Sequence, residues 1–497
     1  MKYLLGYDIG SSSIKAALLD ISTGKGLATA FSPAAEMPIA SPQLGFAEQD
    51  PGMWWQELVN ATCRLQQQVS FSGDEVAGIG ISYQMHGLVC VDKNLHPLRP
   101  SIIWCDSRAV NIGQKAFEQL GEEFCLQNFL NSPGNFTASK LRWIREQEPE
   151  LYKQIYKVML PGDYIALQLT GQVATTVTGL SEGIMWNFKK TAIAKELLKY
   201  YEIDEGLLPE LVPVFGNQGS LSAAAAAILR LKPGIPVCYR AGDQPNNAWS
   251  LNVLQPGEVA ATAGTSGVVY GVTDKVNYDP RSRVNTFVHV NHTDAQPRYG
   301  VLLCVNGTGI LNSWLRKNFF DGLPYNEINN EAFKVIPGAE GIRFYPFGNG
   351  AERILENSNP GAAMRGLQFN RHHRGHVARA AQEGIVFALN YGMEVMHEMG
   401  MQLQTVRAGY ANMFLSEVFA EAFVNTTGCI AELYNTDGAL GAARAAGVGA
   451  GIYKGFKECF NGMEVIKRIE PSSSLQKQYT EIYIDWKKDL RSSDTLK

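Results

Sequence analysis

Tyr3-Leu4-Leu5-Gly6-Tyr7-Asp8-Ile9-Gly10-Ser11-Ser12-Ser13-Ile14-Lys15 sets two apolar runs on either side of a turn made of Gly and Ser. A second stretch repeats the pattern far down the chain. There Val259-Ala260-Ala261 leads into Gly264-Thr265-Ser266-Gly267, and Val268-Val269-Tyr270 follows. Each reads as a β-hairpin whose tight turn leaves backbone N–H groups and hydroxyls outward with no bulky side chain in the way. Such a turn is a nest for phosphate oxygens. One Gly-Ser turn carries little information, whereas a matched pair predicts two related lobes that close on one polyphosphate.

The rest of the composition narrows the class. At 497 residues the chain exceeds a single compact core, so two domains are expected. A net charge of −4 with dispersed Lys and Arg gives no basic stripe for nucleic acid. The eight Cys form no Cys-x-x-Cys pair and read as buried free thiols in a reducing compartment. The first strand is interrupted by Asp8, which does not suit the apolar core of a signal peptide, and no apolar run reaches the length of a membrane span. A cytoplasmic protein without membrane or nucleic-acid partners is expected.

The alternation of strands and helices predicts a mixed α/β protein with a sheet flanked by helices in each lobe. A helix is expected from Pro51, a long one over 379–396, and an Ala/Gly-rich segment over 438–451. The boundary falls near Gln255-Pro256-Gly257, giving residues 1–250 as one lobe and 251–497 as the other.

Several side chains stand where chemistry is done. Asp8 ends the first strand beside the first turn, as a water-mediated Mg²⁺ ligand or as a turn cap. Asp243 follows a strand and Gly242; a carboxylate there can accept a proton from an attacking hydroxyl, or can cap a helix. Met85-His86-Gly87 lies at a strand end, where a neutral imidazole can bond a hydroxyl and Met can give apolar contact. Gly307-Thr308-Gly309 and Ala408-Gly409-Tyr410 are strand-to-helix turns that suit phosphate or ribose oxygens. His372, His373 and His376 read as a solvated basic loop.

These stretches, with Glu48-Gln49-Asp50-Pro51, Gln84-Met85-His86-Gly87, Trp104-Cys105-Asp106-Ser107-Arg108, Phe136-Thr137-Ala138-Ser139-Lys140-Leu141 and Leu160-Pro161-Gly162-Asp163-Tyr164, resemble the FGGY carbohydrate kinases along nearly the whole chain. Gly350-Ala351-Glu352-Arg353, Asn359-Pro360 and Gly438-Ala439-Leu440-Gly441-Ala442-Ala443 extend the match, and Gln-Met-His-Gly points to the xylulokinase branch. The resemblance implies the two-lobed actin-like (ribonuclease H-like) ATPase fold, with ATP in a cleft between the lobes. It implies phosphorylation of the 5-hydroxyl of D-xylulose, a pentulose, using ATP and Mg²⁺, with Asp243 as base and Asp8 as the metal-associated carboxylate. Met85, His86, Asp106, Asp243 and Gln244 become the sugar contacts. Gly10, Ser11, Ser12, Ser13, Gly264, Thr265, Ser266, Gly307, Gly409 and Asn412 become the nucleotide side. A homodimer is a further family trait. The sequence departs from the pattern twice, with Gln244-Pro245 after the base where Asn is usual, and with Ala408-Gly409-Tyr410-Ala411-Asn412 in place of a triple-glycine adenine loop. Kinases for ribulose, sedoheptulose or glycerol, a non-catalytic sugar or nucleotide sensor, and an actin- or chaperone-like ATPase are the rival readings.

Overall fold

The computed structural model describes residues 2–351, 353–356, 358 and 360–492, so Glu352 and Asn359 of the motifs above lie outside the described residues. The chain forms two compact units. The first holds 1–252, 287–297 and 436–463; the second holds 253–286, 298–435 and 464–497. Relative to the single boundary expected near residue 250, two later segments return to the first unit.

The first unit is built on strands β1 (Tyr3–Ile9), β2 (Ile14–Asp20), β3 (Gly26–Ser32), β4 (Val76–Tyr83) and β5 (Val237–Gly242), in the order β5-β4-β1-β2-β3. β1 and β2 pair antiparallel from Tyr3 opposite Asp20 to Ile9 opposite Ile14, which places Asp8 opposite Lys15. β4 lies parallel to β1 and β5 parallel to β4, so Asp8, Tyr83 and Gly242 end their strands on the same edge. Helix α1 (Pro51–Gln68) starts where expected: the Asp50 carboxylate accepts from the Gly52 N–H, Pro51 occupies the first position, and Trp54, Leu58, Ala61 and Leu65 form one buried face.

The second unit repeats this arrangement with β6 (Val259–Ala263), β7 (Gly267–Thr273), β8 (Tyr299–Val305), β9 (Thr405–Gly409), β10 (Ile430–Tyr434) and β11 (Val465–Ile469). They stand in the order β8-β7-β6-β9-β10-β11. β6–β7 and β7–β8 are antiparallel, whereas β6–β9 and β9–β10 are parallel. Read from β3 to β5 in the first unit and from β8 to β10 in the second, order and direction are the same. The two hairpin turns occupy equivalent places in two copies of one design.

Five helices place the chemistry: α2 (Thr137–Gln147), α3 (Val177–Glu182) and α4 (Asp243–Ser250) in the first unit, and α5 (Gly309–Phe319) and α6 (Arg374–Glu398) in the second. The expected basic loop is not one. His373 caps α6, its Nδ1 accepting from the Gly375 N–H at 3.1 Å, and His376 is buried in the first turn, which is why this helix starts earlier than periodicity alone indicated. A last helix, α7 (Gly438–Gly449), covers the first sheet, capped by Asp437, whose Oδ1 accepts from the Leu440 N–H at 2.9 Å. Its backbone touches the strands. A Cβ on Gly6 would stand 1.9 Å from the Ala439 carbonyl oxygen, and one on Gly80 2.0 Å from that of Ala442.

Five of the eight cysteines are buried and none is bonded, but Cys105 is exposed because it sits in the turn ahead of the Asp106 network. Among the described residues no helix is long and apolar enough to cross a membrane.

Candidate active site

The first unit gathers Asp8, Asp243, Met85 and His86 around the carboxyl ends of β1, β4 and β5, the edge at which parallel α/β sheets present ligands. Asp8 accepts from the Ser82 hydroxyl at 2.8 Å. Burial raises its carboxyl above the usual range; Lys15 and the Ser82 bond oppose the rise, and Asp437 adds to it. The Gly10 N–H donates to the Ser13 carbonyl at 3.1 Å, closing the turn beside it. No group of three or more metal-ligating side chains occurs among the described residues. Mg²⁺ bound with phosphate keeps most of its ligands as water and phosphate oxygens and takes one or two carboxylates from the protein, a demand that Asp8 fits.

Asp243 is the first residue of α4, with Gly242 rather than Asp243 in the capping position. Its carboxyl is pushed up to about 7, by burial first and by the negative charge of Asp8 second, while hydrogen bonds from Gln244 oppose the rise. A carboxylate with a pKa near neutrality is suited to exchanging a proton at the pH where enzymes work. Gln244 therefore bonds the Asp243 carboxyl through both its backbone and its side chain.

His86 adopts φ +60°, a left-handed conformation that few non-glycine residues hold without help. The help comes from two buried residues. Lys140 Nζ donates to the His86 carbonyl and to the Ile103 carbonyl, each at 2.9 Å, and the His86 Nδ1 pairs with the Glu182 carbonyl at 2.9 Å. The imidazole lies between Phe136, at 4.8 Å between centroids, and Phe287, at 5.4 Å. Lys140 is fully enclosed, and burial brings its ammonium down to about 8 against the pull of Asp106.

Asp106 departs from the expectation of a sugar contact. It is fully buried; Oδ2 accepts from the Ala47 N–H at 2.6 Å, and both oxygens accept from Arg108, through bonds of 2.7–3.0 Å. The carboxylate is satisfied within the protein and fixes the loop that follows Trp104.

The second unit gathers the remaining loops. The Gly309 N–H donates to the Gly264 carbonyl at 2.8 Å and the Ile310 N–H to the Thr265 carbonyl at 3.2 Å, so the second hairpin turn is fastened to the first turn of α5. The fit leaves no room for side chains: a Cβ on Gly309 would meet the Gly264 oxygen at 2.3 Å, and one on Gly307 the Pro346 oxygen at 1.4 Å. Thr265 is exposed at the tip. A Cβ on Gly264 would stand 3.6 Å from Asn412 Nδ2, which brings the loop after β9 to the same turn. Tyr410 is 44% exposed there. Gly264, Thr265, Ser266, Gly307, Gly409 and Asn412 thus form one surface. Beside it lies a cavity of about 540 Å³ lined by Gly307, Ile310, Leu311, Trp314, Phe344 and Met364 among others, a size typical of small-molecule sites.

Sequence reading missed this cavity, Glu182, and the positions of Lys140 and Phe287. Lys140 was within a matched stretch, so its position could have been flagged; Phe287 and the cavity come from chain segments that only the fold brings together.

Profiles of the FGGY family of carbohydrate kinases match residues 3–248 with the N-terminal domain and 259–450 with the C-terminal domain. The chain belongs to the FGGY family of carbohydrate kinases. The xylulose kinase of Lactococcus lactis is 28% identical to this FGGY kinase over 502 aligned residues, covering 100% of this chain and 98% of the relative. A ligand-bound xylulose kinase from Lactobacillus acidophilus superposes with a TM-score of 0.90 at 22% identity, covering 100% and 99% of the two chains. A gluconate kinase from the same organism superposes with a TM-score of 0.89 at 22% identity, covering 99% and 98%. The fold is that of the actin-like sugar kinases, and this FGGY protein is a carbohydrate kinase.

Proposed function

We propose that this kinase works in the cytoplasm and transfers the γ-phosphoryl group of ATP to the 5-hydroxyl of D-xylulose, with Asp243 as general base. The observation that carries the reading is Asp243 itself: a carboxylate off the end of the edge strand β5, beside Met85 and His86, with its pKa brought to the working range by burial and by Asp8. Met85 and His86 hold the sugar, and Gln244 steadies the base. Asp243 accepts the hydroxyl proton as the sugar oxygen bonds to phosphorus and ADP departs. Asp8 and the Gly10–Ser13 turn accept Mg²⁺ and phosphate oxygens; the second unit's Gly264–Ser266 turn, Gly307, Gly409 and Asn412 hold the nucleotide, whose base suits the apolar cavity beside Gly307. Bound Mg²⁺ neutralises charge on the phosphates.

The test is ADP release with Mg-ATP against D-xylulose, L-ribulose, D-ribulose, sedoheptulose, glycerol and gluconate, with a sugar-free control. Preference for D-xylulose supports the reading. Preference for another acceptor moves the substrate within the family; the similarity in fold to a gluconate kinase makes gluconate the specific second candidate.

A further inference from the structure

Glu182 ends α3 with its side chain turned inward, 1% exposed, against parts of the acceptor site. A Cβ on Gly242, the residue that delivers Asp243, would stand 2.4 Å from Glu182 Oε2 and 2.6 Å from Met85 Cγ. The Glu182 carbonyl meets His86 Nδ1 at 2.9 Å. Its second carboxyl oxygen, Oε1, is buried without a hydrogen-bond partner. The groups facing its carboxyl are Tyr83 at the end of β4, Asp163, Asp243 on α4, and the His86 backbone N–H, which donates to it. The nearby cation on β5, Arg240, is given to Asp163 at 3.0 Å and to the Ala174 carbonyl at 3.1 Å. An unpaired second carboxylate beside Asp243 would be costly. Burial, Asp243 and Asp163 in that order raise the Glu182 carboxyl well above its ordinary range, while hydrogen bonds from Tyr83 and the His86 N–H oppose the rise.

We propose that Glu182 is a positioning residue of the acceptor site: its carboxyl seats the Gly242 backbone that carries the base, and its carbonyl fixes the imidazole of His86. The proposal rests on the reading of Asp243 and His86 as base and sugar contact. One residue then sets the spacing between the group that binds the sugar and the group that takes its proton. Ionising it would place a second negative charge beside Asp243, so activity carries an alkaline limb that belongs to Glu182.

The experiment compares the full chain with Glu182→Ala and Glu182→Gln, using the best acceptor found for the wild type. Glu182→Ala should lower kcat/KM for the sugar by tenfold to a hundredfold and leave KM for ATP within twofold. Glu182→Gln, equal in size and uncharged, should restore most of that loss and shift the alkaline limb upward or abolish it. A Glu182→Ala enzyme within twofold of wild type for the sugar overturns the proposal, as does a Glu182→Gln enzyme with an unchanged alkaline limb. A second measurement needs neither turnover nor the alanine variant: ¹³C-carboxyl NMR, with Glu182→Gln identifying the signal. A protonated Glu182 at pH 7 supports the proposal; an ionised one overturns it. If the wild type phosphorylates no acceptor, the functional reading fails while the NMR result still decides for Glu182.

Discussion

Asp243 joins two properties that pull against each other. Its folded pKa of about 7 stands above the ordinary 3.8, so the stability it contributes is complete below about pH 4 and is lost as the pH rises through 7. Asp243→Asn should therefore melt like the wild type at pH 4 and be more stable by about 2 kcal/mol at pH 8, a figure reduced for the partial solvation of the group. The same variant should lose 10²–10⁴ in kcat while still binding sugar, and the wild-type kcat/KM should fall with unit slope below pH 7; calorimetry, sugar titration and steady-state assays across pH check the three. Lys140 shows the opposite sign. Its ammonium is held at about 8 against 10.5 in the unfolded chain, so stability rises between these values, and the wild type should gain about 3 kcal/mol relative to Lys140→Met from pH 8 to pH 10.5. Asp8 and Asp243 could be singled out because each stands at a strand end, but that position alone left turn capping open for the one and helix capping for the other. Glu182 could not: nothing local separates it from any helical Glu, and its role depends on residues 60 to 97 positions away in sequence, Gly242 and Met85.

At the level of elements, glycine decides which surfaces meet. Gly80→Ala would drive a methyl group into the Ala442 carbonyl, and because backbone cannot swing aside the cost should be about 3 kcal/mol or more, read as a lowered denaturation midpoint. Gly309→Ala would instead push the second hairpin turn away from α5; the expected result is a tenfold or greater rise in KM for ATP with KM for the sugar unchanged. Both hairpins and the helices starting near Pro51 and Gly309 were legible, since turn chemistry and apolar period agree there. α6 was foreshortened because a histidine cap is a weak sequence signal, and Asp106 was given to the sugar by the family resemblance, which says nothing of the Ala47 N–H that closes on it from 59 residues away.

For the molecule as a whole, the repeated strand order explains why two short turns far apart in sequence could announce the fold: duplication preserves the turn where phosphate chemistry needs it and lets the surrounding sequence drift. The proposed assignment of the sugar to the first unit and the nucleotide to the second predicts separable ligand effects. D-Xylulose should slow amide exchange chiefly around 84–87 and 242–244, and a non-hydrolysable ATP analogue chiefly around 264–267 and 307–309; exchange mass spectrometry reads both. A single boundary was legible from the Pro-Gly break, but the return of 436–463 to the first unit was not, because its Ala/Gly-rich pattern says only that something packs closely, not on what.

That returning helix has a consequence for how the protein is born. The Gly6 and Gly80 face of the first sheet is made by residue 83 and β5 joins it by residue 242, yet α7, which covers it, leaves the ribosome only after residue 449. At 5–20 residues per second, the strands from the first hairpin wait roughly 20–80 s for their cover. During that time the nascent chain carries an unsheltered sheet surface and an Asp8 without the helix start that sits over it. The first unit can reach its native state only once residues 436–463 have been made.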